Sequence, residues 1–207
     1  MTSFFDYFQI ASVVIFLLIL VGNAFYLRFT RNINPIAIGG GKRGLVLAVE
    51  VFDLSGLAAW MVEILLYAVH SSFHIFPSSW NVQLVDSLWA RVIGVLMVTL
   101  GLIIFILAYV SFGDSWRVDF DVKTPGALVT TGIFAMSRNP IYLFLDLWSF
   151  GIFLINGTPM FLIFAALTAA VVHWQILQEE KFLFHLYSQS YQDYRVRTGR
   201  YVSWPGR

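Results

Sequence analysis

Five apolar runs, each ended by polar or turn-forming residues, constrain this chain more than any other feature. Phe8 to Tyr26 is the first, close to the ~20 residues that carry a helix across a bilayer. Leu45 to Val69 and Ala90 to Phe112 follow, then Ile141 to Ile155, and last Met160 to about Tyr187. Lipid offers no partner to a free N–H or C=O, so runs of this kind fold as helices whose backbone is satisfied internally. Only 12% of the residues are charged, where a soluble domain carries about 25%. The expectation is an all-α polytopic membrane protein with about five transmembrane helices in a single membrane domain, residues 1–207, three of the helices lying within 1–110.

Charge sets the orientation. The start Met-Thr-Ser-Phe-Phe-Asp lacks a positive segment, and no small-x-small cleavage site follows, so the first run reads as an uncleaved helix rather than a signal peptide. Arg28, Arg31, Lys42 and Arg43 come directly after it, and positive charge clusters on the cytoplasmic side. Of 13 Lys and Arg only Arg91 falls on the predicted outer edge. A multi-pass protein with its N-terminus outside and its C-terminus cytoplasmic is expected, in the inner membrane if the cell is prokaryotic. Gly39-Gly-Gly-Lys42 lacks the Ser or Thr and the strand of a phosphate loop and reads as a connector. With no cysteine, four scattered His and a net charge of +1, neither a metal site nor a nucleic-acid partner is expected.

The second run carries Glu50, Asp53 and Glu63. A carboxylate at membrane depth must be paired, neutralised or wet. Glu50 and Asp53 share a helix face three residues apart. Two readings stay open for them: pairing with loop arginines or lying in the interface, or lining a polar substrate pocket.

The fourth run, at 15 residues, gives about 22 Å of helix against a hydrocarbon core of about 30 Å. Its start therefore lies below the membrane surface. Asn139 before Pro140 reads as the N-cap, because Asn caps well and Pro at the first position lacks only a donor that would be unpaired anyway. Free N–H groups and the positive dipole end there suit an anion, and Arg138 adds a full charge. Asn156-Gly-Thr-Pro159 is a turn, so the last two runs form an antiparallel hairpin. The second arm outruns the bilayer and brings Glu179 and Glu180 to the depth of Arg138, Asn139 and Tyr142. Arg138, Tyr142 and Asp146 form an i, i+4, i+8 row, and His173 and Glu180 share a face at i, i+7.

The segments Phe112-Gly-Asp-Ser-Trp-Arg117, Leu128-Val-Thr-Thr-Gly132, Gly132 to Tyr142, Gln178-Glu-Glu-Lys-Phe182 and Tyr191-Gln-Asp-Tyr194 stand in an order that resembles a family of membrane methyltransferases. Its members include isoprenylcysteine carboxyl methyltransferases and phospholipid N-methyltransferases, with the shared signature Arg-(His or Asn)-Pro-x-Tyr-x-Gly followed by Glu-Glu. The resemblance covers about Ser111 onward and makes residues 111–207 the methyltransferase-like part. It implies S-adenosylmethionine as cofactor, held by Leu128, Val129, Gly132, Arg138, Asn139, Pro140, Tyr142, Glu179 and Glu180. It also implies a lipid or other hydrophobic acceptor. For a carboxylate acceptor, Arg195, Arg197 or Arg200 would orient it; for an amine, Glu179 or Glu50 would take its proton. Asn139 stands where His is frequent, and Phe144 where Gly is expected. With Trp148 and Phe150 on the same arm, a narrower pocket is anticipated. A reductase with the related hairpin of sterol reductases, binding NADPH, and a non-catalytic protein of the same fold are the alternatives.

Overall fold

The structure is a computed structural model, and it describes residues 3–30, 45–112 and 128–203, with residues 27, 45–53 and 78 described in backbone alone. Among them all long elements are helices: α1 (Phe4–Thr30), α2 (Leu45–Ala68), α3 (Leu88–Phe112), α4 (Pro140–Asn156) and α5 (Pro159–Arg197). The connector 31–44, with its Gly-rich stretch, and residues 113–127, which include the Asp114 to Arg117 motif, lie outside the described residues. By length and apolarity α1, α3 and α5 can each cross a membrane, whereas α4 has only 17 residues. The protein is an all-α polytopic membrane protein with a C-terminal helical hairpin.

The described residues fall into two compact units. The first holds α1 and α2, which pack on each other; Val13 and Phe16 of α1 and Trp60, Ile64 and Ala68 of α2 are buried. Here Glu63 finds the partner that its depth demands. Its side chain is fully buried, with Oε1 2.9 Å from His74 Nδ1, and Oε2 accepts the Ile75 N–H at 2.9 Å. The backbone of Glu50 and Asp53 is helical, but their side chains lie outside the described residues, as does the pocket expected of them.

The second unit holds α3, α4, α5 and the segments between and after them. α3 and α4 pack on a face of small residues. A Cβ at Gly151 would stand 2.8 Å from the Gly94 carbonyl and 2.6 Å from Val98, and one at Gly94 2.5 Å from the Gly151 carbonyl, so the two backbones touch where only glycine fits. Farther along, Phe144 fills the space opposite Gly101 and stacks on Phe105 at 4.7 Å and on Trp148 at 5.4 Å between centroids. The opposite stripe of α3 (Ile93, Leu96, Leu100, Ile103, Leu107) is exposed, which suits contact with acyl chains rather than water.

The predicted turn is present. Gly157 ends α4 with φ +67°, a conformation that favours glycine, and its carbonyl accepts the N–H groups of Leu84 and Val85 at 2.7 and 3.1 Å. One detail differs from the sequence reading. The second arm does not stop near Tyr187: after a break at Ser188, with φ 45° and ψ −114°, the helix resumes to Arg197, held by the buried rings of Tyr191 and Tyr194. Of the rings expected to narrow the pocket, Trp148 is buried and stacks on Phe144, which itself stacks on Phe105 of α3, while Phe150 is half-buried.

Candidate active site at the start of the hairpin

The polar segment before α4 is tightly built. Gly132, with φ +62°, opens a short 3-10 turn over Gly132–Ala135, and a Cβ there would stand 2.4 Å from Ser111 Oγ. Leu128 and Val129 lead into it, half-buried. Asn139 occupies the N-cap position and its carbonyl accepts the Leu143 N–H at 3.0 Å, but its side chain makes no cap. The carboxamide instead donates to the Arg200 carbonyl at 3.0 Å and to Glu180 Oε1 at 3.4 Å. The first-turn N–H groups of α4 are therefore left without the side-chain acceptor that the sequence predicts for them.

Around Glu180 the charges converge. About 20 residues of α5 suffice to cross the hydrocarbon core, so Glu179 and Glu180 stand at its edge or beyond. Glu180 is 6% exposed. Arg138 Nη2 donates to its Oε1 at 3.0 Å, and Arg200 meets both oxygens, Nε to Oε1 at 3.2 Å and Nη2 to Oε2 at 2.8 Å. Burial alone would raise the Glu180 carboxyl; the hydrogen bond from Arg200, the charges of Arg138 and Arg200 and the Asn139 bond outweigh it and hold the carboxyl below its ordinary value. Beside this cluster the Tyr191 phenol is pushed up to about 12 by burial and by the Glu180 carboxylate, against the opposing pull of Arg138 and Arg195. Tyr194 is raised by burial as well and donates its hydroxyl to the Phe134 carbonyl at 2.6 Å.

Arg138 spends only one of its nitrogens in this way. Its side chain is 8% exposed, and its Nε and Nη1 are buried with no hydrogen-bond partner among the described residues. Tyr142, one turn into α4, donates its hydroxyl to Glu179 Oε1, so the row on α4 does meet the acidic pair on α5.

The basic tail is part of this assembly rather than a free segment. Arg138 N–H donates to the Gly199 carbonyl at 3.0 Å and Ser203 N–H to the Met136 carbonyl at 2.7 Å, which strap residues 199–203 across the segment before α4. Of the tail arginines, Arg200 enters the site. Arg195 lines a cleft of about 230 Å³ with Leu177, Glu180, Lys181, Phe184, His185 and Arg200. Arg197 is exposed and donates to the Asp193 carbonyl at 3.2 Å. The sequence reading had no role for Tyr191, Tyr194 or Tyr201; the aromatic spacing Tyr191, Tyr194 and the Arg200-Tyr201 pair were the available signals.

Residues 89–190 match the model of the phospholipid methyltransferase family. That stretch runs from α3 through the hairpin and ends just past the break at Ser188. A protein-S-isoprenylcysteine O-methyltransferase of Xenopus laevis is similar, 26% identical over 149 residues, which are 70% of this chain and 48% of that protein. The chain is similar to this family of membrane methyltransferases over just under half of its length. It spans about half the length of the curated relative it matches. Within the family match lie Arg138, Asn139, Tyr142 and the Glu179-Glu180 pair, whereas Arg200 and Tyr201 stand beyond it.

Proposed function

We propose that the protein is a membrane-embedded methyltransferase that uses S-adenosylmethionine to methylate a lipid or another hydrophobic small molecule. The observation that carries this reading is Arg138: a buried guanidinium with two unmet nitrogens beside a helix start whose cap side chain is engaged elsewhere. Such a place attracts a carboxylate, through charge, N–H donors and dipole together. S-adenosylmethionine presents a carboxylate, an ammonium and ribose hydroxyls. Arg138 and the α4 start suit the first, and the Glu179 carboxylate with the Tyr142 hydroxyl suits the others. Leu128, Val129, Gly132, Asn139 and Pro140 shape the wall of the same site. When bound, the cofactor supplies a methyl group on a sulfonium that is already a good leaving group. The residues of the chain then have mainly to position it and to exclude water.

Binding of radiolabelled S-adenosylmethionine, against NADPH, to the purified protein in detergent tests the reading. The expected result is saturable binding of the former, weakened roughly tenfold or more by Arg138→Ala, the worth of one charge-assisted hydrogen bond. Binding of NADPH alone would support a reductase, and binding of neither a non-catalytic protein. The reading also places this end of the hairpin in the cytoplasm, on the strength of the Lys and Arg distribution. A reporter fused at Arg207 is expected to fluoresce as green fluorescent protein and to give no alkaline phosphatase activity; the opposite pattern overturns the orientation.

A further inference from the structure

Beyond the hairpin proper, α5 carries a row of side chains that the cofactor reading leaves unused. Leu177, Lys181, Phe184 and His185 recur at i, i+4, i+7 and i+8 and so share one face of the helix. Lys181 lies about 200° around the axis from Glu179, the residue that Tyr142 meets, so this face is turned away from the α4 start. With Arg195 and Arg200 the same four line the cleft of about 230 Å³ beside Glu180. On an unbroken helix Lys181 and Arg195 would stand about 21 Å apart along the axis. The break at Ser188 lets the two cations line one cleft instead. The charge there is one-sided. Glu180 is the carboxylate in the wall, and it already holds Arg138 and Arg200. Lys181 and Arg195 are exposed and form no ion pair among the described residues. Lys181 and Phe184 follow Glu179 by about 3 and 8 Å along the axis, inside the polar layer of about 5–8 Å on each side of the hydrocarbon core. Toward the turn the same face continues as Trp174, Leu167 and Ile163, all exposed apolar side chains on a helix long enough to cross a membrane.

We propose that this cleft seats the phosphate of a net-anionic phospholipid whose acyl chains lie along the Ile163 to Trp174 face, and that this lipid anchors the α5 extension rather than serving as methyl acceptor. Two cations without carboxylate partners offer a phosphate the charge and the donors it needs. Leu177 and Phe184 give the cleft apolar walls where the chains leave the headgroup. At about 230 Å³ the cleft falls below the roughly 300–1,000 Å³ of pockets that enclose a drug-sized ligand, so it takes a headgroup and leaves the chains in the bilayer. A zwitterionic headgroup would bring a cation for which the wall keeps no free carboxylate. Near an anionic surface each Lys or Arg is worth about 1 kcal/mol, roughly fivefold in affinity. The binding does not depend on the methyltransferase reading.

The test titrates dioctanoyl phosphatidylglycerol calorimetrically into the full chain in dodecyl maltoside, against empty micelles, with dioctanoyl phosphatidylcholine and inorganic phosphate as separate arms. The probe has neither amine nor carboxylate, so its binding is not that of a methyl acceptor of either kind. Wild type is expected to bind the glycerol lipid saturably, and the choline lipid and inorganic phosphate each at least tenfold more weakly. Lys181→Gln and Arg195→Gln are each expected to weaken the glycerol lipid three- to tenfold, and the two together at least tenfold. Arg197→Gln, which removes an exposed cation outside the cleft, is expected to change it less than twofold. Absence of saturable binding, equal binding of the choline lipid, or an equal loss on Arg197→Gln, the mark of diffuse surface attraction, overturns the proposal. Inorganic phosphate binding as tightly as the lipid overturns it too, in favour of a free-anion site. Should the double variant fail to fold, the single variants decide, unchanged lipid binding in both being the negative result.

Discussion

Replacing Glu180 by Gln removes the charge on which two guanidinium groups converge, and the structure sets the size of the effect. Breaking a buried pair by deleting one partner costs about 3–5 kcal/mol, because the other charge is left without compensation. Arg138, 8% exposed, cannot turn to water, whereas Arg200, 35% exposed, can. The cost should therefore sit near the lower end, about 3 kcal/mol. For a chain of 150–250 residues this corresponds to a fall in Tm of roughly 6–12 °C. Thermal unfolding in detergent, followed by the recovery of monodisperse protein after heating, measures it. The double variant Arg138→Met, Glu180→Leu is expected to recover most of the loss, since it leaves no buried charge alone and Arg200 is free to reach solvent. A fall below 2 °C for Glu180→Gln, or a double variant less stable than the single one, would refute the reasoning that burial of Arg138 dominates.

The same carboxylate gives a pH dependence. Its folded-state value lies below the ordinary 4.5, so its contribution to stability is complete above about pH 5 and is lost as pH falls through the folded value, and Glu180→Gln should flatten that acid limb in a Tm series from pH 7 to pH 3. Phe144→Ala is expected to cost about 3 kcal/mol or more through the cavity left against Gly101 and Phe105, while S-adenosylmethionine affinity stays within twofold of wild type; a changed affinity with unchanged Tm would put the ring in the cofactor site instead.

The helices were legible in the sequence to within a few residues wherever an apolar run meets a turn signal, as at Gly157, because lipid leaves the backbone only one local solution. The antiparallel hairpin followed from its turn, and with it the approach of Arg138 to Glu180 and of Tyr142 to Glu179. Side-chain choices were not legible in the same way. Asn139 has the sequence of a cap, yet its carboxamide turns to Arg200, whose arrival depends on a strap some 60 residues away in sequence. Nothing periodic announces that strap. The partner of Glu63 was hidden for a related reason: His74 lies in a loop beyond the end of α2, where spacing rules for helices no longer apply.

The position that departs most from the family signature, Phe144, shows why α4 tolerates the change. At 100° per residue, positions 142 and 144 point about 200° apart, so Tyr142 and Asp146 address α5 while Phe144 and Trp148 address α3. A large ring at 144 is matched by a missing one at 101, and the exchange stays within the α3–α4 contact. The polar face is thus insulated from the packing face of the same helix. On that polar face the charged groups are also spread along the axis: Arg138, Arg200, Glu179 and Glu180 gather at the helix start, and Asp146 stands about two turns deeper.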